Sequence, residues 1–450
     1  YELLSRAKLK PVLTASIVSV LGLIVPMQMA SENWDDHDRS GRVLASDFGY
    51  NYLISCDPNA VLLCFGDNDT FPLWYAQEVE GVRTDVKVGN LSYLQSEWYG
   101  KHMLRQSYEA QPIPNKYMSP AFFVTNSYAL IRPTSAVPMS FDQAMKEATK
   151  IVPQGQAQMP TDKVLLLVDS AAVAKQFPQL QGLPMPKSMV LSLEGKSAMT
   201  RDQLFVLDML GASEWQRPIM WVSSAPQNVF ANQRQYMSQV GMAQRFNPTT
   251  VAGTPYEVDV ERLYDLVMNK YRYFNANDPD IYFDENIRRN ISYYYRARVF
   301  ATLAQALLRQ DDTERAREVL TKCAEVISPK AVPYDMTDVS LADAYYRAKM
   351  TEQGDEIVRA LFRDTAQLLY WVSQQKPSHQ LALINDSMVR YSLVTLMDLV
   401  RIDMLWGRNL LAEYEAMLQQ ALPTFGGSLE AVKEVTAQQL GQRLSDTVNQ

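Results

Sequence analysis

The sequence predicts a three-layer α/β domain around a mostly parallel, Rossmann-like sheet. An all-α domain of tetratricopeptide-like helical hairpins follows it, and one transmembrane helix precedes both. Three observations carry this expectation. Residues 59–90, NAVLLCFGDNDTFPLWYAQEVEGVRTDVKVGN, read as strand, loop, helix and strand. Apolar runs recur at Val164–Asp169, Met189–Leu193 and Pro218–Ser223, separated by helical stretches, which is the alternation of a sheet covered on both faces. From about Val258 onward the pattern becomes helix after helix. The expected division is residues 1–31 for the membrane helix and its cytoplasmic flank, 32–257 for the α/β domain and 258–450 for the helical domain.

In the first of these stretches, Ala60–Phe65 is apolar without alternation, as a strand buried on both faces requires. Gly66-Asp67-Asn68-Asp69 breaks it. Asp69 or Thr70 is expected to cap a helix from Leu73 to Glu80, with Pro72 in its first turn. Ligands of β-α-β units bind outside the carboxyl ends of the strands. That rule draws attention to Asp67, Asn68 and Asp69 after the first strand, and to Asn90 and Ser92 after the second.

The chain has 450 residues, 47% of them hydrophobic and 21% charged, enough apolar material for more than one core. The formal charge is -7, which argues against a nucleic-acid partner. The three cysteines, Cys56, Cys64 and Cys323, make no metal pattern. Cys56 and Cys64 would be a disulfide pair in an exported chain or two buried free thiols. His37, His102 and His379 are too scattered in sequence for a histidine zinc site.

Pro11–Ala30 carries no charged side chain. A helix of that length rises about 30 Å, the thickness of a bilayer core. Arg6, Lys8 and Lys10 precede it, and Glu32, Asp35 and Asp36 follow, so the start is expected in the cytoplasm and the rest outside. A signal peptide is the rival, with Gln28 a poor residue at the cleavage motif, and a buried core helix is the other. The chain begins at Tyr1 rather than Met, so residues upstream are expected. Glu32–Arg42 reads as a polar loop in which Asp35, Asp36, His37 and Asp38 could gather a divalent cation or simply face water.

Arg42–Cys56 has helical spacing. Ser96–Tyr108 reads as a helix, Gln111–Pro138 as a proline-broken excursion and Phe141–Lys150 as a short helix. Thr200 and Gln203 fit a capping box that opens a helix through Leu210. Asn228–Gly241 is expected to be helical. In the last domain, Tyr293–Arg309 is expected to pair with Glu314–Ile327, Val339–Gln353 with Asp355–Val372 across Gly354, and Met388–Trp406 with Asn409–Leu422 across Gly407. The turns fall further apart than the about 34 residues of a tetratricopeptide repeat, so the solenoid is expected to be irregular. Such a stack offers a concave surface to a partner or buttresses the α/β part.

Asp67-Asn68-Asp69 also fits the DxD pattern by which sugar-nucleotide transferases hold a cation, although the same residues would serve as turn and cap. The chain has no GxGxxG, Walker loop, HExxH or GxSxG motif, and no cofactor is expected.

The stretches ENWDDHDRSGRVLASDFGYNYLISCDPNAVLLCFGDNDTFPLWYAQEVEGVRTDV and NLSYLQSEWY resemble the signature region of a family of very large bacterial inner-membrane proteins. That family is similar to protein O-mannosyltransferases, with a multi-spanning GT-C-type core followed by a soluble region with helical repeats. The resemblance covers residues 32–108 closely and the rest as architecture. It implies that Pro11–Ala30 is the last membrane helix and that the soluble region lies in the periplasm. It implies a lipid-linked sugar donor and a catalytic carboxylate in an early membrane loop, outside this chain. GDND is therefore not that carboxylate, and no catalytic residue is assigned. The expected partners are an acceptor protein or glycan, together with the membrane. Two other functions fit the residues: a membrane-anchored periplasmic scaffold working through its helices, and a metal-dependent sugar-nucleotide enzyme using Asp67 and Asp69.

Overall fold

The computed structural model describes residues 10–125, 127–152 and 155–448, apart from the side chains of residues 35, 36, 124, 125 and 443–448. The first helix runs from Pro11 to His37. Its stretch Pro11–Trp34 is the one helix among the described residues long and apolar enough to cross a membrane. Val12, Val20, Leu21, Leu23, Ile24 and Val25 are all more than half exposed, whereas a core helix would be covered. The polar loop expected from Glu32 is partly helix. Within it, the side chains of Ser31, Asn33 and His37 each bond to a carbonyl three or four residues back.

Strands β1 (Val61–Cys64), β2 (Lys87–Asn90), β3 (Tyr128–Ile131), β4 (Met139–Ser140), β5 (Ala157–Met159), β6 (Lys163–Leu167), β7 (Ser188–Ser192), β8 (Ala198–Thr200), β9 (Ile219–Val222), β10 (Met237–Val240) and β11 (Ala243–Phe246) form three sheets. The main sheet has the order β10-β11-β9-β1-β2. Its centre is parallel: Val61 pairs with Lys87 on one side and Ile219 on the other. Its β10–β11 edge is antiparallel. β1 and β9 are buried along their whole length, as their unbroken apolar runs require. Two three-stranded sheets, β5-β3-β8 and β4-β6-β7, each mix one parallel and one antiparallel pair. The α/β class holds, with the strands distributed over three small sheets of mixed direction.

The helix expected at Asn228–Gly241 is instead a short 3-10 turn followed by the β10–β11 hairpin. Gly241 takes φ +61 at the first position of a two-residue turn, where a hairpin favours glycine. The helix expected to reach Tyr108 stops at Met103. The capping box at Thr200 and Gln203 is present. All three cysteines are buried and free.

The C-terminal region is helical. Thr302–Arg309 packs on Thr313–Val326, and Val339–Arg347 on Thr351–Ser373. Ala301, Ala304, Ala306 and Ala316 are buried at the first crossing. The second turn lies at Lys349, with φ +60, rather than at Gly354. Gly354 sits inside the next helix, where a Cβ would come within 2.7 Å of the Tyr346 ring. The third expected hairpin does not form. Ser387–Trp406 and Glu415–Ala421 both pack on Thr351–Ser373 instead. After Gly407, Arg408 donates to Asp355 of that helix at 2.8 Å, a contact across the fold that holds the chain over it.

A buried ion network joins the α/β and helical regions. Asp57 follows the helix Leu44–Ser55, and its carboxylate accepts from Arg245 of β11 at 2.6 and 2.8 Å and from Arg262 of the helix Val260–Asp265. Asn51 of the same helix bonds Arg272 and Tyr295.

Candidate functional site

β1 ends at Cys64, and Gly66 turns the chain with φ +81 and ψ 172, a conformation essentially restricted to glycine. The helix begins at once and runs Asp67–Glu78, so GDND is the helix start rather than a loop before it. Gly66 is the N-cap and no side chain caps, which corrects the capping role expected of Asp69 or Thr70. Asp67 and Asp69 lie in the first turn, where the helix dipole favours negative charge.

The two carboxylates diverge. Residues two apart on a helix do not face each other. Asp67 is exposed and accepts from the Tyr93 hydroxyl at 3.3 Å, on the β2 side. Asp69 is 4% exposed and accepts from the Ser224 hydroxyl, on the β9 side. Burial raises the Asp69 pKa against the opposing effects of Ser224 and a backbone hydrogen bond from Phe65. Tyr294 is pushed up to about 12 by burial and then by the charge of Asp69, so it stays protonated.

A cavity of about 530 Å³ opens at this edge, with Asp67, Asn68, Asp69, Phe65, Phe71 and Tyr294 in its wall. Asn68 is exposed. Outside the cavity a row of rings continues from Phe71 to Trp74, Tyr93 and Trp98, with centroids 5.9, 6.2 and 6.2 Å apart. Phe71 is 52% and Trp98 63% exposed.

The structure brings Asp67, Asn68 and Asp69 together in one cavity wall but leaves Asn90 and Ser92 outside it. Asn90 is fully buried: its amide donates to Thr70 at 2.7 Å, and its side-chain oxygen accepts from the Tyr93 backbone at 3.0 Å. It ties the end of β2 to the helix that follows β1, and Ser92 lies just beyond it. Of the four residues expected to gather a cation, Asp35 and Asp36 have side chains outside the described residues. His37 bonds its own helix at the Asn33 carbonyl, 2.9 Å away. Asp38 accepts from the Ser40 backbone at 2.8 Å. Among the described residues no three His, Cys, Asp or Glu side chains are grouped to hold a metal ion.

Sequence reading missed Ser224, Tyr294 and the ring row. Phe65 and Phe71 flank GDND in sequence and were there to be found. Ser224 lies 155 residues from Asp69, and no local pattern connects them.

Residues 45–263 match the family model described as TMEM260-associated domain 2. No curated protein and no solved structure matches the chain.

Proposed function

We propose that this chain is the extracytoplasmic part of a glycosylation-related membrane protein and that the β1 edge engages a glycan or the acceptor protein that receives it. One observation carries the reading: the exposed polar groups of Asp67 and Asn68 stand beside the exposed rings of Phe65 and Phe71. Rings stack on the apolar faces of sugars, and a carboxylate accepts strong hydrogen bonds from hydroxyls. The match to a TMEM260-associated domain supports the glycosylation-related membrane setting. The exposed apolar helix supports anchoring, and the basic flank before it supports a cytoplasmic start. The resemblance of residues 32–108 supports a bacterial inner membrane with this region in the periplasm, attached to a GT-C-type enzyme whose catalytic loop lies upstream. The boundaries near 31 and 257, and a tetratricopeptide-like role for the helices, belong to the same proposal. In this reading the chain alone transfers no sugar from a lipid-phosphate donor.

Titration of the full chain in detergent with oligosaccharides and glycosylated peptides tests it. Asp67→Asn and Phe71→Ala weaken binding about tenfold, equivalent to about 1.4 kcal/mol, without lowering the melting temperature. Binding unchanged by both substitutions would sink the proposal. Turnover of a lipid-phosphate sugar by the chain alone would revive the reading in which it is itself the enzyme. The alternative, a scaffold acting through its helices, draws support from an apolar groove of about 490 Å³ lined by Tyr293, Met336, Leu368, Met388 and Tyr391. It expects Met388→Asp, and not Asp67→Asn, to abolish partner binding.

A further inference from the structure

A second cavity, of about 640 Å³, lies on the other side of Ser224, between the end of β9, the β10–β11 hairpin and the helical residues 293–309. Its character differs from the first. Three arginines, Arg234, Arg298 and Arg309, stand in its wall against one carboxylate, Glu257, in a chain whose formal charge is -7. None of the three arginines forms a salt bridge among the described residues. The Nε of Arg298 is buried without a hydrogen-bond partner. Gln244 of β11 lines the same cavity, is 6% exposed, and its side chain makes no hydrogen bond among the described residues. Buried polar groups are ordinarily satisfied, and each exception asks for a partner. Ser223, Gln227, Asn228 and Thr302 add hydroxyl and amide groups, and the half-exposed ring of Tyr293 stands at the rim.

Unpaired guanidinium groups with planar donor forks match phosphate oxygens. Amide and hydroxyl walls beside one ring match a polyhydroxylated body. The cavity lies outside the carboxyl end of β9, which pairs in parallel with β1, and that end of a parallel strand is where such sheets bind ligands.

We propose that this cavity binds a phosphorylated sugar, with Arg298 and its neighbouring arginines holding the phosphate and Gln244 bonding the sugar. The shared chemistry is a sugar phosphate, either as a free metabolite or as the headgroup of a lipid.

The test uses the full chain in detergent or nanodiscs. Calorimetric titration compares a soluble hexose phosphate, inorganic phosphate and the neutral hexose. A second titration compares a short-chain, water-soluble phosphatidylinositol phosphate with short-chain phosphatidylcholine. The hexose phosphate is expected to bind more tightly than inorganic phosphate, the neutral hexose to give no heat, and affinity to fall with added salt. Arg298→Gln should weaken binding at least tenfold with an unchanged melting temperature. Gln244→Leu should lower affinity for hexose phosphate towards that for inorganic phosphate. If Arg298→Gln lowers the melting temperature, Arg309→Gln, at an exposed position, supplies the same comparison. Binding of the short-chain phosphatidylinositol phosphate that depends on Arg298, without hexose phosphate binding, assigns the lipid source, and hexose phosphate binding alone assigns the free one. Absence of both, or binding indifferent to Arg298→Gln, Arg309→Gln and Gln244→Leu, overturns the proposal.

Discussion

The hydroxyl of Ser224 donates a hydrogen bond to the carboxylate of Asp69. This contact joins the loop after β9 to the helix that starts after β1, and Ser224 lines both cavities. Both residues sit outside the carboxyl ends of adjacent parallel strands, so the sheet itself sets their separation.

Ser224→Ala removes the donor from a buried carboxylate and should cost about 1.5–3 kcal/mol. The pH dependence has a defined sign. Burial raises the folded pKa of Asp69, so its contribution to stability is complete below the unfolded value near about 4 and is lost as pH rises through the folded value. The penalty of Ser224→Ala should therefore be larger at neutral pH than at acid pH, and Asp69→Asn in the same background should reduce it. Urea unfolding of the four variants at two pH values measures this.

Asp57→Asn should be more costly, at about 3 kcal/mol, because it leaves the buried, charged Arg245 with only the longer contact to Asp259 at 3.6 Å. Burial by itself would raise the pKa of Asp57, but Arg245 and Arg262 outweigh it and hold the group low. Its contribution is present above the unfolded value and is lost as pH falls through the folded one. Wild-type protein should accordingly weaken in acid, and the variant should show a flatter acid limb. An equally steep limb in both proteins would refute the assignment.

Asp338 responds in the opposite sense. Burial, only partly offset by Arg296 at 3.2 Å, pushes it up to about 6. Its contribution is complete below the unfolded carboxylate value and declines as pH rises through about 6. On the order of 3 kcal/mol should be lost between about pH 4 and pH 7, read as a fall in the unfolding midpoint. Tryptophan fluorescence follows it, with Trp406, whose ring nitrogen donates to Asp343 at 3.1 Å, and Trp371 both in the helical part.

The proposed orientation is testable in cells. A phosphatase joined after the last residue should be active in intact bacteria, and a cytoplasmic reporter at the same point inactive. The reverse pair of results would invert the topology.

Much of this protein was determined by sequence alone, wherever the governing physics is local. Ala60–Phe65 buries both faces, so its apolar run has no alternation, and a strand forms there. Pro11–Ala30 has no charge, and a long exposed helix results. Thr200 and Gln203 satisfy the first amides of their own helix within four residues. The tertiary structure decided the rest. Gln233–Phe246 became a short turn and a hairpin because β9 offered an open edge and Gly241 could turn the chain. The third pair of helices separated because Arg408 found Asp355, a partner 53 residues away. Asn90 stands at a strand end in the sequence, but Thr70 and Tyr93 consume its polar groups. The carboxylates of GDND looked like one constellation until a helix turned them apart, towards Tyr93 and Ser224. The two cavities exist only because strands distant in sequence end side by side and helical residues 290–309 close over them. Local sequence encodes propensity and burial, whereas a site is made by groups that meet across the fold, and those meetings are set by packing.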